Sequence, residues 1–167
     1  MRLVYIALGS NVGDRAAWLA RGVEEMNRAG VRVLRQSAWY ETEPVGGPPQ
    51  EWFLNAVVEA ETDLPPLQLL DALRGIEQIM GRQRAIPSGP RTLDLDYLLD
   101  SESLVHTSVL EVPHPRLAER RFVLQPLAEL APDLLHPILR KTMSQLLASV
   151  KESSQVRLWR PRESGSR

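Results

Sequence analysis

The feature that most constrains the fold is the order in which hydrophobic periodicity changes along the first hundred residues. A short apolar run, Leu3-Val4-Tyr5-Ile6-Ala7-Leu8, meets the turn Gly9-Ser10-Asn11-Val12-Gly13-Asp14, with Asn11 or Asp14 as the helix cap. Leu19, Val23 and Met26 then recur at helical spacing, which predicts a helix over 15–28 ending at Gly30. A second strand is predicted over 31–40, and the proline- and glycine-rich stretch 42–49 must be a loop. Residues 52–61 alternate, with Leu54, Ala56, Val58 and Ala60 on the cleaner core face. Pro65 and Pro66 suit a helix start, and Leu67, Leu70, Leu73, Ile76 and Met80 carry that helix towards Gly81. A further strand begins near Leu93. Strand, helix, strand, strand, helix, strand is the order of an α+β ferredoxin-like sandwich, a βαββαβ core with an antiparallel sheet. Both helices should cover one sheet face and leave the other open for ligand. The first strand should lie centrally and the strand from Leu93 next to an edge.

Additional C-terminal helices are predicted over 122–130 and 142–151, after the rigid turn Val112-Pro113-His114-Pro115. Residues 1–151 are expected to form a single catalytic domain. Residues 152–167 form a tail, expected to be flexible, with Val156, Leu158 and Trp159 as its only apolar anchors.

The strand from Leu93 contains an anomaly that points to chemistry. In Thr92-Leu93-Asp94-Leu95-Asp96, alternation sends the leucines to one face and both aspartates to the other, roughly 7 Å apart at Cα. Aspartate is depleted in strands, and like charges on one face repel. One resolution is a divalent cation, since Mg²⁺ is held by one or two carboxylates completed by substrate phosphates. The other is a solvent-facing edge on which acidic residues deter aggregation.

Composition excludes several classes. A formal net charge of −1 over 167 residues offers no overall field for nucleic acid or an anionic membrane. The absence of cysteine removes disulfide and thiolate-metal frameworks. No stretch approaches the ~20 apolar residues of a membrane span, so a soluble, cytoplasmic protein is expected. No P-loop, dinucleotide fingerprint or nucleophile elbow occurs, and the three histidines are scattered. Arg82, Arg84 and Arg91 bracket the acidic strand's approach, and Arg116, Arg120 and Arg121 cluster beyond it. Guanidinium forks match phosphate oxygens, so a polyphosphate ligand is implied.

Six segments in order, YIALGSN (5–11), ETEPVG (41–46), FLNAVV (53–58), GPRTLDLD (89–96), VPHPR (112–116) and RFVLQPLAELAP (121–132), resemble the 6-hydroxymethyl-7,8-dihydropterin pyrophosphokinases of folate biosynthesis. The resemblance spans residues 3–137. It implies a ferredoxin-like fold and transfer of the β,γ-diphosphate of ATP, as one unit, to the pterin hydroxymethyl oxygen with release of AMP. It further implies Asp94 and Asp96 as ligands of two Mg²⁺ ions, with Arg82 and Arg91 as catalytic neutralisers of the transferred diphosphate. The pterin would be bound by Thr42, Pro44, Val45, Gly46, Phe53, Asn55 and Phe122, and ATP by Arg74, Glu77, Arg82, Arg84, Arg91, His114 and Arg120. Small-molecule substrates, no nucleic-acid or membrane partner, and a monomer are expected. Two departures stand out: Pro87-Ser88 replaces a loop tryptophan common in relatives, and Arg74 stands where a polar amide is often found.

Overall fold

The computed structural model describes residues 1–44, 47, 49–81 and 92–160. Strand β1 (Arg2–Ser10) lies centrally, antiparallel to both β4 (Phe53–Thr62) and β5 (Asp94–Asp100). The second strand of the core is broken. Its first part, β2 (Val31–Gln36), pairs with one half of β4, and its second, β3 (Tyr40–Thr42), pairs with the other half. The path through the sheet is β5, β1, β4, β3 and then β8 (Val156–Leu158). This is the ferredoxin-like arrangement, with the acidic strand terminal among the described residues rather than next to an edge. The segment beyond 152, expected to be flexible, carries β8 and extends the sheet past β3.

Helices α1 (Arg15–Arg28) and α2 (Pro66–Ile79) cover one face, as their apolar spacing requires. Leu19 and Met26 of α1 and Leu69, Leu73 and Ile76 of α2 pack on Val4, Ile6, Leu8, Leu54, Ala56, Val58, Leu93 and Leu95. Gly22 allows close approach, because a Cβ there would come within 3.0 Å of the Leu93 side chain. Asp14 caps α1 by accepting the Ala17 N–H at 3.1 Å.

The opposite face departs from expectation in being half covered. Helices α3 (Arg121–Leu130) and α4 (Met143–Ser149) bring Val123, Leu124, Leu127 and Met143 onto Tyr5, Val57, Leu98 and Leu99. A two-stranded hairpin, β6 (Val105–His106) and β7 (Glu111–Val112), precedes α3. Among the described residues the end of this face near Gly9 and Asp94 stays open, and a cleft forms there.

Strand β5 is pinned at both ends. Near its start, the buried Glu77 of α2 accepts the N–H of Leu95 at 2.8 Å through Oε2. At its far end the buried Asp100 accepts from Arg2 Nε at 2.7 Å and from the Tyr97 hydroxyl. A register shift between Tyr5 and Ile6 lies between the two anchors.

Candidate active site

The cleft encloses about 280 Å³ and is built across the sheet. Gly9 of β1 lies opposite Asp94 on one side and Asn55 on the other, and Ala7 lies opposite Asp96 and Val57. The central strand thus contributes its two smallest side chains to the floor, while its neighbours contribute carboxylates and an amide. Asp94 and Asp96 both line the cleft, as alternation predicts, and Leu93 and Leu95 lie in the core behind them.

The opposite wall comes from β3 and β4. Thr42, 1% exposed, Pro44, Phe53 and Asn55 line it. Asn55 Nδ2 donates to Thr42 Oγ1 at 2.6 Å, which fixes the amide with Oδ1 as the remaining acceptor. A Cβ on Gly9 would overlap Asn55 Oδ1 and stand 3.6 Å from its Cγ and 3.7 Å from Phe53 Cδ1. Glycine at position 9 is therefore what lets the amide lie over the central strand.

The roof comes from the start of α3. Arg120 occupies the cap position and Phe122 the first turn, with the guanidinium carbon 5.6 Å from the ring centroid. Burial lowers the Arg120 pKa, and among the charges around it Asp96 opposes that shift most. Burial, then Arg120 and Arg116, pushes His114 down from 6.5 to about 4, with Asp94 opposing. Its Nδ1 accepts the Arg116 backbone N–H at 3.1 Å, so the neutral imidazole carries its proton on Nε2. The site thus holds a neutral histidine and a half-buried arginine beside two carboxylates.

Of the residues anticipated from sequence, Thr42, Pro44, Phe53, Asn55, Asp94, Asp96, Arg120 and Phe122 meet in the cleft. His114 acts electrostatically on that group without lining the cleft. Glu77 is buried behind β5, and Arg74 is exposed on α2 away from the lining. Val45, Gly46, Arg82, Arg84 and Arg91, and the Pro87-Ser88 departure, lie outside the described residues. Arg116, of the arginine cluster read as a phosphate ligand, lines the cleft too, and Gly9, Glu43, Glu119 and Glu152 line it without having been anticipated there. Arg116 was discoverable from the VPHPR motif. Glu152 was not, because only the return of the chain through β8 brings it in.

The donor set suits Mg²⁺ in one specific way. Among the described residues no group of three or more carboxylates and histidines gathers. Two carboxylates on one strand face, with other positions left to phosphate oxygens and water, is how this ion is commonly held. A ferredoxin-like sheet bearing such a pair, with arginines on one side and a flat, aromatic, amide-edged pocket on the other, defines an enzyme of polyphosphate transfer to a planar acceptor.

Comparison with known proteins makes the class specific. Residues 5–132 match the family model of 7,8-dihydro-6-hydroxymethylpterin-pyrophosphokinase (HPPK). The chain is 42% identical over 159 residues to the 2-amino-4-hydroxy-6-hydroxymethyldihydropteridine pyrophosphokinase of Bacillus subtilis, covering 95% of this chain and 90% of that protein. It is 43% identical to the enzyme of the same name from Methylorubrum extorquens, with 95% and 99% coverage. The folic acid synthesis protein fol1 of Schizosaccharomyces pombe is 40% identical, but the chain spans only 22% of its length. Among solved structures, wild-type Plasmodium falciparum HPPK-DHPS with SDX-DHP superposes with a TM-score of 0.70 at 15% identity, covering 89% of this chain and 43% of that one. This chain belongs to the HPPK family. It is an ATP-dependent diphosphotransferase of folate biosynthesis, transferring a pyrophosphoryl group to hydroxymethyldihydropterin.

Proposed function

We propose that this one cleft seats both substrates together, the pterin against β3, β4 and Phe122 and the ATP triphosphate between β5 and the start of α3. The observation that supports this reading is the row Asp94, Gly9, Asn55 across three paired strands, which sets a carboxylate on one side of the central strand and an amide on the other. Phe53 and Phe122 supply ring faces for a flat bicycle. Asn55 Oδ1, its amide oriented by Thr42, accepts from the pterin edge. Pro44, Val45 and Gly46 shape the rim.

Asp94 and Asp96 would hold two Mg²⁺ ions together with the triphosphate. Those ions, when bound, offset the charge of the β- and γ-phosphates. The chain's own groups do the rest. Arg116 and Arg120 bring positive charge to the phosphates, and the neutral His114, outside the lining, holds the Arg116 backbone N–H through Nδ1 without adding charge. Arg82 and Arg91 neutralise the migrating diphosphate, with Arg74, Glu77 and Arg84 assigned to the nucleotide side. The acceptor oxygen attacks Pβ, the bond between Pβ and the oxygen bridging to Pα breaks, and that oxygen leaves on Pα as part of AMP while the hydroxyl proton passes to solvent. The protein is read as a single catalytic domain working as a cytoplasmic monomer; among the described residues no helix is long and apolar enough to cross a membrane.

Product analysis tests the site and its chemistry together. With ATP, Mg²⁺ and hydroxymethyldihydropterin, wild type should yield AMP and the pterin diphosphate, and Asp96→Asn should lose at least about 10²-fold in kcat, as when a preorganised charge is removed. ADP as product would overturn the reaction assignment. Near-normal turnover of Asp96→Asn at saturating Mg²⁺ would overturn the placement of the metals.

A further inference from the structure

Strand β3 is three residues long, yet it carries Thr42, the partner that orients Asn55. A strand this short at a sheet edge is poorly fixed, since each residue gains pairing on one side only. Here it is not an edge. Val156, Arg157 and Leu158 of β8 pair with Thr42, Glu41 and Tyr40, enclosing β3 between β8 and β4.

The contacts continue on both sides of β8. The Gln155 N–H donates to Glu43 Oε1 at 2.7 Å, and the Glu43 N–H donates to the Gln155 carbonyl at 3.2 Å. The Glu152 carbonyl accepts from Arg121 Nε at 3.2 Å, one residue from both Arg120 and Phe122, and Glu152 itself lines the cleft. Further out, the Arg157 guanidinium sits 4.4 Å from the Trp52 ring centroid and 3.5 Å from Glu41 Oε1. The Trp159 ring stacks on Trp39 at 5.6 Å, and the Trp159 backbone N–H donates to the Trp39 carbonyl at 2.9 Å. One eight-residue stretch therefore ties the roof of the cleft at α3 to the wall at β3.

We propose that residues 152–159 are a positioning strap for the acceptor pocket, acting through β3 on Thr42 and Asn55 and through Arg121 on Phe122. Arg157 and Trp159 touch no reacting atom. Their own contacts are with Trp39, Glu41 and Trp52 on the β3 side of the sheet, so they set how well the pterin is held, while Asp94 and Asp96 stand on β5 at the other end of the sheet path. This rests on the assignment of Thr42 and Asn55 to the pterin.

The test compares Arg157→Ala, Trp159→Ala and Trp159→Phe with wild type in full steady-state kinetics for both substrates, beside Asn55→Ala as a pocket control. Trp159→Ala should raise the acceptor KM about tenfold, the equivalent of about 1.4 kcal/mol, with kcat and the ATP KM close to wild type. Trp159→Phe, which keeps the stacking, should restore most of it, and the surface variant Arg157→Ala should shift the same parameter less. Equal changes in both KM values, or a fall in kcat alone, would overturn the strap. If Asn55→Ala raises the acceptor KM and neither strap variant does, the strap fails and the pocket stands. If Asn55→Ala also leaves the acceptor KM unchanged, the pocket assignment fails with it.

Discussion

Adding one methyl group at position 9 tests the geometry of the cleft floor. In Gly9→Ala the new Cβ overlaps Asn55 Oδ1 and stands 3.6 Å from Asn55 Cγ, so the amide must rotate away. Rotation breaks the 2.6 Å bond to Thr42, whose side chain is 1% exposed and has no access to bulk water as a substitute. Leaving a buried polar partner unsatisfied costs about 1–3 kcal/mol, and reduced unfolded-state freedom returns about 0.4–1 kcal/mol on Gly→Ala. The net loss is about 1–2 kcal/mol, which lowers Tm by roughly 2–8 °C for a chain of this size. The assay is a double-mutant cycle by thermal or urea unfolding. In an Asn55→Ala background the obstructing atoms are gone, only the ordinary 3.7 Å contact with Phe53 Cδ1 remains, and Gly9→Ala should be neutral or slightly stabilising. An equal cost of Gly9→Ala in both backgrounds would refute the reasoning, because the penalty would then come from the backbone and not from the amide.

Two further predictions concern the half-buried His114 and the buried Glu77. His114 has a folded pKa of about 4 against 6.5 when unperturbed, so between those values the unfolded state binds more protons and stability falls as pH falls, while above 6.5 the contribution is complete. Urea midpoints followed from about pH 7 down to about pH 4 should drop more steeply in wild type than in His114→Gln, and parallel profiles would remove His114 from the account. Glu77 holds the strand that carries Asp94 and Asp96 through the Leu95 N–H, the amide between the two aspartates; if they bind Mg²⁺ as proposed, it positions them. Glu77→Ala should raise the Mg²⁺ concentration needed for half-maximal rate and leave the acceptor KM unchanged, with Glu77→Gln, which keeps an acceptor, recovering part of the loss; a changed acceptor KM with normal Mg²⁺ dependence would show that Glu77 does something else.

The parts of this molecule legible in the sequence are those fixed by local periodicity. Helix α1 begins at Arg15 and α2 at Pro66 because apolar spacing and helix-start residues act within one or two turns. The common face of Asp94 and Asp96 follows from the pleat alone, whatever the rest of the chain does. What stayed hidden depends on contacts distant in sequence. The break at 37–39 divides the second strand so that β4 can pair with two partners, and nothing in the alternation of 31–40 marks it. The half-covered sheet face arises because α3 is amphipathic enough to need a partner, and Tyr5, Val57, Leu98 and Leu99 offer one. The return of β8 was least legible of all, since Val156 and Leu158 are too few to mark a strand until Thr42 and Tyr40 stand opposite them. The same logic explains why Gly9 looked like a turn residue. Its role is set by Asn55, forty-six positions away and directly opposite across the sheet, where a side chain must be missing for the amide to lie over the central strand.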